Sequence, residues 1–415
     1  MKILFVSAYT PYPPDTGGRI RSYYTLKWLA GRHEVHLLCF HHNPSDREAL
    51  THLQKLCREV ESLPAPIWNP GPLSRLRRAL FSPMDIVMPR SSPAMEEALR
   101  VKLSAEGFDL VHFDDMGTAS YARLAEGFPT VLSKHNIEWV ARCRALAEGR
   151  GATRAALRQG KTLRLLEGLA LRRSEGRVAA LFDRVVVTSE ADRHLLARSC
   201  PLETIAVVHN GVDTDYFSPG RCRALPKVPG TSAVPQPDEQ TILFVGAMFW
   251  PPNVDAALFF CDEVLPNVIR QVPEARFYLV GHDPPEEVRA LGERPDVVVT
   301  GYVQDVRPYL AGAAIFVAPL RQGSGTRLKI LEALAMGKAV VTTSIGREGL
   351  NLVNGRELVV ADGAENLAEA IVALLKDPAR RAELGKAGRQ AVLARYSWPD
   401  VLAGLELVYE EAMEI

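Results

Sequence analysis

Short β-rich runs alternate with helical patterns along most of the 415-residue chain, and this alternation restricts the fold more than any other feature. Continuous apolar runs are typical of strands buried on both faces of a parallel sheet. The first half has such runs at 2–7, 35–40, 109–113, 130–135, 184–189 and 205–210. The series restarts at 241–246 and continues at 276–281, 296–301, 313–320 and 338–343. The pattern predicts an α/β fold with two Rossmann-like domains and parallel sheets.

A proline-rich segment separates the two series of strands. Residues 218–240 contain five prolines and no apolar periodicity, so they are expected to form a linker. We therefore expect an N-terminal domain at 1–217, a C-terminal domain at 241–390, and a helical segment at 391–415 that could pack back on the N-terminal domain. Ligands of open parallel sheets bind beyond the carboxyl ends of the strands, so two facing domains should enclose a cleft.

Composition is that of a globular protein without a membrane span. Hydrophobic residues make up 47% and charged residues 24% of the chain, and no apolar run reaches the roughly 18 to 20 residues of a spanning helix. The first residues, MKILFVSAYTPYPP, resemble a buried strand more than a signal peptide. The six cysteines show no C-x-x-C spacing, which favours reduced thiols over a zinc site or disulfides. We therefore expect a cytoplasmic protein.

The zero net charge conceals an excess of basic residues in the first half. Residues 1–210 contain 29 Lys and Arg against 22 Asp and Glu, and eleven basic residues lie at 141–184. The segment PLSRLRRALF at 72–81 adds three more arginines. These stretches are either solvated surface or a contact for anionic lipid headgroups or an anionic acceptor, at the inner face of the cell membrane. No nucleic-acid partner is expected.

The strongest local signal is GSGTRLKILEALAMG at 323–337, a glycine-flanked loop followed by a predicted helix. Arg327 and Lys329 are predicted in the first turn of that helix, where the macrodipole disfavours cations unless an anion binds there. A phosphate group would satisfy both the cations and the free N–H groups of the first turn. The residues expected to form the phosphate loop are Gly323, Ser324, Gly325 and Thr326.

Glu332 is predicted on the same helix, one face of which is apolar. Its carboxylate could accept hydrogen bonds from two ribose hydroxyls. Alternatively, Glu332 forms an ion pair with Lys329. Taken together, the loop, the two cations and this carboxylate favour a nucleoside diphosphate as the ligand.

Two further segments follow strands of the first domain. Gly17, Gly18 and Arg19 come after the first strand, where glycines would let the backbone approach an oxygen-rich ligand closely; a plain tight turn is the alternative. His135 is predicted at the carboxyl end of the strand 130–135, within the cleft. The DTD sequence at 213–215 resembles a metal motif, but its aspartates are better explained as turn caps.

Several of these segments resemble the retaining nucleotide-sugar glycosyltransferases of family 4, which have the GT-B fold of two facing Rossmann-like domains. The similarity covers nearly the whole chain and is closest to exopolysaccharide sugar transferases associated with exosortase systems. The matching segments are Gly17–Gly18, VTSEADR at 187–193, HNGVDTDYF at 209–217, LFVGAM at 243–248 (with Gly246), GYVQDV at 301–306 and KILEALAMGKAVVTTSIGREGL at 329–350.

Two positions depart from the family pattern. The family usually has two glutamates eight positions apart; the second corresponds to Glu332, but the first falls at Ser324. The Arg and Lys that follow the first strand of the family's second domain fall at Ala247 and Asn253. Arg327 and Lys329 are therefore expected to supply the missing positive charge.

The resemblance implies transfer of a sugar from a nucleoside diphosphate to a hydroxyl of a glycan or lipid-linked glycan, with retention of configuration and without a metal or other cofactor. His135, Arg327 and Lys329 would be the catalytic residues. Because of the two departures, a non-catalytic nucleotide-sugar-binding subunit is an alternative, and so is a sugar-nucleotide epimerase. A nicotinamide dehydrogenase is disfavoured because the first βα turn lacks G-x-G-x-x-G.

Overall fold

The computed structural model describes residues 1–66, 92–147, 161–221 and 238–415, which divide into two units. The first unit takes the described residues up to Asn210 together with Pro399–Ile415. The second takes the described residues of Gly211–Trp398. We describe each unit by itself.

The first unit is built on a parallel sheet with the order β3-β2-β1-β4-β5-β6-β7. Its apolar strands pack beneath helices on both faces, as the continuous apolar runs require. The strands are β1 (Lys2–Ser7), β2 (Glu34–His41), β3 (Glu59–Pro64), β4 (Leu110–Asp114), β5 (Thr130–Ser133), β6 (Arg184–Val187) and β7 (Ile205–Val207). The α-helices are Gly17–Ala30, Pro44–Leu53, Pro93–Ala105, Glu138–Ala147, Lys161–Ala179, Glu190–Leu196 and most of Trp398–Met413, and short 3₁₀ helices span Met116–Ala125 and Leu202–Thr204.

The second unit repeats the plan with the parallel order β10-β9-β8-β11-β12-β13. The strands are β8 (Thr241–Val245), β9 (Arg276–Val280), β10 (Val297–Gly301), β11 (Ile315–Ala318), β12 (Ala339–Thr342) and β13 (Val359–Val360). The α-helices are Pro251–Phe259, Leu265–Ile269, Glu286–Arg289, Arg307–Gly312, Leu328–Ala335, Ser344–Arg347, Ala364–Lys376 and Pro378–Arg395. A π-helical turn spans Phe260–Val264, and 3₁₀ turns span Pro219–Arg221 and Ala290–Glu293.

Two Rossmann-like parallel sheets were predicted, and both are confirmed. The sequence runs missed the edge strands β3 and β13. β3, with the sequence EVESLP, is partly exposed along its length and carries two glutamates, and β13 has two residues. The strand predicted at 130–135 ends at Ser133, so Lys134 and His135 lie in the loop that follows it.

The boundary between the units lies earlier than the predicted linker. The N–H of Val212 donates to the carbonyl of Tyr396, and Val212 also forms a β-bridge with Ser397, which ties residues 211–217 to the second unit. Most of the predicted linker, residues 222–237, lies outside the described residues.

The C-terminal helix Trp398–Met413 contributes to the first unit. The hydroxyl of Tyr409 lies 2.7 Å from Nδ1 of His112, and Glu406 lies 2.9 Å from Nε2 of His33. Both contacts are made by residues that follow Trp398.

The predictions about cysteines, basic segments and membrane spans can be compared only with the described residues. The five described cysteines are free thiols, and Cys222 lies outside the described residues. The arginine-rich segment 72–81 and residues 148–160 of the basic stretch also lie outside them. Among the described helices, none is both long and apolar enough to cross a membrane.

Candidate functional site

A closed hydrogen-bond network occupies the carboxyl ends of β1, β4 and β5 in the first unit. Asp114, the last residue of β4, accepts hydrogen bonds from Ser22 Oγ at 2.5 Å and Ser7 Oγ at 3.3 Å. Its other oxygen lies 3.1 Å from Nε2 of His135. Nδ1 of His135 lies 3.2 Å from the hydroxyl of Tyr9, which in turn lies 3.1 Å from Ser22 Oγ. The predicted His135 therefore lies at a strand end and is bound on both ring nitrogens.

The charges of this network favour an imidazolium beside a carboxylate. Burial by itself lowers the pKa of His135, but the Asp114 carboxylate outweighs burial and raises that pKa above its ordinary value. Burial by itself raises the pKa of Asp114. The charge of His135 and the hydrogen bonds from His135 and Ser22 outweigh burial and lower that pKa. Both shifts favour the charged forms of the pair, with the proton on His135.

Sequence reasoning missed Tyr9 and Asp114. Tyr9 follows the first strand and is partly exposed as a residue, whereas Ser7, Ser22, Asp114 and His135 are buried. A Cβ atom on Gly18 would lie 2.8 Å from that hydroxyl and 3.6 Å from Nδ1 of His135. Gly18 is therefore needed for the close approach of Tyr9, a role that the Gly-Gly pair alone did not reveal.

Gly17 and Gly18 were predicted to precede a helix that begins near Arg19, but they are the first two residues of that helix. The helix begins at Gly17, because the backbone of Thr16 is extended and the N–H of Ile20 already bonds the carbonyl of Thr16. The guanidinium of Arg19 is 3.1 Å from Asp46 and 3.5 Å from Asp15. Arg19 is thus held by two carboxylates at this helix end.

A buried ion pair fixes the loop that carries His135. Nζ of Lys134 lies 2.7 Å from Glu175, and both side chains are fully buried. Glu175 also accepts the N–H groups of Glu138 at 3.0 Å and Trp139 at 3.1 Å, which caps the helix Glu138–Ala147. Residues on both sides of His135 are therefore anchored to the helix Lys161–Ala179.

In the second unit, Lys329 reaches the loop that follows β8. Its ammonium donates to Oδ1 of Asn253 at 2.7 Å and lies 4.5 Å from the centre of the Phe244 ring. Nδ2 of Asn253 donates to the carbonyl of Ala247 at 2.8 Å. A Cβ atom on Gly246 would lie only 2.5 Å from Nζ of Lys329, so Gly246 leaves the space that this ammonium occupies.

Arg327 differs from the prediction, because it lies at the N-cap and not in the first turn. The helix begins at Leu328, and the side chain of Arg327 folds back onto its own loop. It donates to the carbonyls of Gln322, Ser324 and Gly325. Gly323 and Gly325 have φ values of 99° and 78°, which glycine adopts at low cost. The structure thus assigns Arg327 a bracing role for the loop 322–326.

The other predicted loop residues, Ser324 and Thr326, lie in or beside the loop that Arg327 braces. Ser324, at the position of the family's first glutamate, is buried, and its carbonyl is one of the groups that Arg327 binds. Thr326 is partly buried between the loop and the helix. The side chain of the N-cap residue Arg327 does not cap the N–H groups at the start of the helix.

Lys329 and Glu332 are partly buried on the same helix, and both titrate near neutrality. Burial and, to a smaller extent, Arg327 lower the pKa of Lys329, and Glu332 opposes them, so that the pKa is about 7. Burial raises the pKa of Glu332 to about 7, with Lys329 opposing. Among the ion pairs of the described residues, none joins these two side chains. Each therefore carries an electrostatic cost that an anionic, hydroxyl-bearing ligand would relieve.

The DTD segment is a turn, as its alternative explanation required. Oδ1 of Asp213 accepts the N–H groups of Asp215 at 3.2 Å and Tyr216 at 2.8 Å.

The structure brings together two groups of residues. Gly246, Asn253, Lys329 and the braced loop 322–326 lie in the second unit, and His135, Asp114 and Tyr9 lie in the first.

Comparisons with known proteins cover both units. The family described as "Glycosyltransferase Family 4" matches residues 16–216, and the family described as "Glycosyl transferases group 1" matches residues 239–377. A phosphatidyl-myo-inositol mannosyltransferase of Mycobacterium tuberculosis is 26% identical over 77% of this chain and 78% of its own. An uncharacterized 44.6 kDa protein in the cps region of Klebsiella pneumoniae is 23% identical over 89% and 90%.

Solved structures share the fold at low identity. Anabaena HepE in complex with UDP and glucose superimposes with a TM-score of 0.68 at 15% identity and covers 99% of both chains. Sucrose-phosphate synthase from Thermosynechococcus elongatus gives a TM-score of 0.68 at 18% identity over 100% of both chains. These structures agree with the two parallel-sheet units.

Proposed function

This chain belongs to the glycosyltransferases of the GT-B fold, with a family 4 N-terminal region and a group 1 C-terminal region, and we propose that it transfers a sugar from a nucleoside diphosphate to a hydroxyl of a glycan acceptor. The observation that carries the proposal is the ammonium of Lys329 beside Asn253. In the family pattern that the sequence resembles, a lysine falls at the position of Asn253. In the folded chain, Lys329 places its ammonium beside that position instead.

The proposed chemistry is electrostatic. As the bond between sugar and diphosphate breaks, negative charge grows on the leaving group, and fixed donors aimed at that charge lower the barrier. Lys329 and the N–H groups at the start of the helix Leu328–Ala335 supply such donors, and Arg327 braces the loop that precedes this helix. A diphosphate beside Lys329 would also restore the full charge of an ammonium whose pKa burial has lowered to about 7.

Glu332 is proposed to take the ribose hydroxyls of the donor. Hydroxyl donors stabilise the ionised carboxylate, which burial disfavours in the ligand-free protein. Glu332→Gln should therefore weaken nucleotide binding without unfolding the chain, because it removes charge but little volume.

The first-unit network is proposed to serve the sugar and its acceptor. His135, oriented by Asp114, lies 3.2 Å from the hydroxyl of Tyr9, and we propose that Tyr9, the partly exposed residue of the network, meets a substrate hydroxyl. We propose retention by front-face attack, with the leaving phosphate taking the proton of the acceptor. This route needs neither a paired carboxylate nucleophile nor a metal.

The acceptor is proposed to be an exopolysaccharide or another cell-surface glycan, with a lipid-linked glycan as one form of it. Support comes from the relatives, one named for phosphatidyl-myo-inositol and one for a cps region. Peripheral contact with an anionic membrane at its inner face would follow from the basic residues at 141–184.

The test begins with thermal shifts in UDP-, GDP-, dTDP- and ADP-sugars, because a ligand at about 100 times its dissociation constant adds roughly 2.7 kcal/mol to the folded state. Transfer to a glycan acceptor panel is then measured with and without EDTA, and the anomeric configuration of the product is read by NMR. We expect one donor to stabilise the chain and to be consumed. Donor binding without transfer or hydrolysis would favour a binding subunit, and donor conversion without an acceptor would favour an epimerase.

A further inference from the structure

Tyr216 is a rigidly held aromatic side chain that the proposed chemistry leaves unused. The residue is 42% exposed although its backbone is bonded on both sides. Asp213 accepts its N–H at 2.8 Å, and its carbonyl accepts a hydrogen bond from Nη1 of Arg307 at 3.2 Å. An exposed aromatic ring on a fixed backbone is a pre-organised contact surface.

One face of that ring is already covered by a guanidinium. Cζ of Arg307 lies 3.8 Å from the ring centre. Asp305 holds the guanidinium in place with contacts of 2.9 Å to Nε and 2.7 Å to Nη2. Arg307 therefore supports one face of the ring, and the Phe217 ring lies nearly perpendicular to it at a centre-to-centre distance of 5.0 Å, so a further planar group would stack on the part of the ring that stays exposed.

The segment that carries Tyr216 is attached to the helix that carries Glu332. The guanidinium of Arg389 donates to the carbonyl of Phe217 at 3.4 Å and also to the carbonyl of Ala335 at the end of that helix. Burial, Asp305 and Glu332 each raise the pKa of the Tyr216 phenol, so the Glu332 carboxylate acts on this side chain through space.

We propose that Tyr216 is the stacking platform for the nucleobase of the donor, supported from behind by Arg307. The inference rests on the proposed function, in which Glu332 takes the ribose hydroxyls. Because the base is bonded directly to the ribose, a ribose at Glu332 places the base beside Tyr216. Stacking is tolerant of base identity, since every base has a π face, so Tyr216 provides affinity and leaves the choice of base to other groups.

The experiment compares two ligands on the same variants. The nucleoside diphosphate that binds the parent most tightly, chosen from UDP, GDP, dTDP and ADP, is titrated by calorimetry, and inorganic pyrophosphate is titrated in parallel. Tyr216→Ala should weaken the nucleotide about tenfold and leave pyrophosphate unchanged, because only the nucleotide has a base to stack. Tyr216→Phe keeps the ring and should bind like the parent.

Leu393→Ala is the matched control, since Leu393 is also 42% exposed in the second unit and should affect neither ligand. Unchanged nucleotide affinity in Tyr216→Ala would overturn the platform and leave the proposed function standing. An equal loss for nucleotide and pyrophosphate, or a loss in Tyr216→Phe, would also overturn it. A parent that binds none of the four nucleotides would overturn the proposed function itself, and the platform with it.

Discussion

The ammonium of Lys329 lies 2.7 Å from Oδ1 of Asn253, although 76 positions separate the two residues in the chain. In the family pattern that the sequence resembles, a lysine falls at the position of Asn253, and we propose that Lys329 supplies the corresponding charge from a different helix.

Gly246→Ala tests whether the position of that charge matters. The new methyl group would lie 2.5 Å from Nζ of Lys329 and 2.8 Å from Nδ2 of Asn253, so both side chains of this contact must shift. We expect a near-parental melting temperature and a clear loss of nucleoside-diphosphate affinity, measured by calorimetry. Gly292→Ala is the control, because its Cβ atom would meet its nearest neighbour, in Val299, at an ordinary 3.5 Å. Parental affinity in Gly246→Ala would contradict the assignment.

Arg327→Ala should destabilise the ligand-free protein, because three loop carbonyls lose a charged donor. Hydrogen bonds to charged groups contribute about 1.5 to 3 kcal/mol each at most, and partial exposure reduces this, so we expect a total loss of about 1 to 3 kcal/mol. Lys329→Ala should be neutral or stabilising by up to about 1 kcal/mol, since it removes a buried cation from a helix start. Urea unfolding of both variants measures the difference. Equal stabilities would show that Arg327 does not brace the loop.

Lys134→Met should cost about 3 to 5 kcal/mol of unfolding free energy, because it leaves the buried Glu175 carboxylate without its cation. The double variant Lys134→Met, Glu175→Gln removes both charges and should recover most of that loss. An amide oxygen can still accept the N–H of Glu138 or Trp139. A double variant no more stable than Lys134→Met would argue against the pair as the anchor of the His135 loop.

His135 should give stability a specific dependence on pH. Its folded pKa lies above its unfolded value of about 6.5, so its contribution is complete below pH 6.5 and is lost as pH rises through the folded pKa. The stability difference between the parent and His135→Gln should therefore shrink from about pH 6.5 upward. Denaturant unfolding at several pH values measures it, with the exposed His194→Gln as control. A difference that grows with pH would contradict the assigned shift.

The sequence predicted those parts of the fold that local pattern controls. Strands such as β1 and β8 are continuous apolar runs because both of their faces are covered, and they were located to within a residue. The edge strand β3 was missed because it is partly exposed and carries two glutamates, so it is not a continuous apolar run. The position of His135 followed from β5, since any residue after that strand lies at the carboxyl edge.

Contacts between distant segments could not be predicted in the same way. No local rule places Lys329 against Asn253, because that contact depends on how a helix packs beside β8. The folding back of Arg327 depends on two glycines with positive φ, whose conformation the sequence permits but does not require. Tyr9 could have been suspected, as an aromatic residue just after the first strand, but its hydrogen-bond partners Ser22 and His135 come from two other segments.

The most direct test of the account exchanges the two residues that share the charge. Dissociation constants of the preferred nucleoside diphosphate are measured for the parent, Lys329→Asn, and the double variant Lys329→Asn, Asn253→Lys, with Lys386→Asn as an exposed control. Lys329→Asn should bind markedly more weakly and transfer sugar about a hundredfold more slowly, and the double variant should recover most of both losses, because it returns the cation to the same place. Parental affinity and rate in Lys329→Asn would contradict the account.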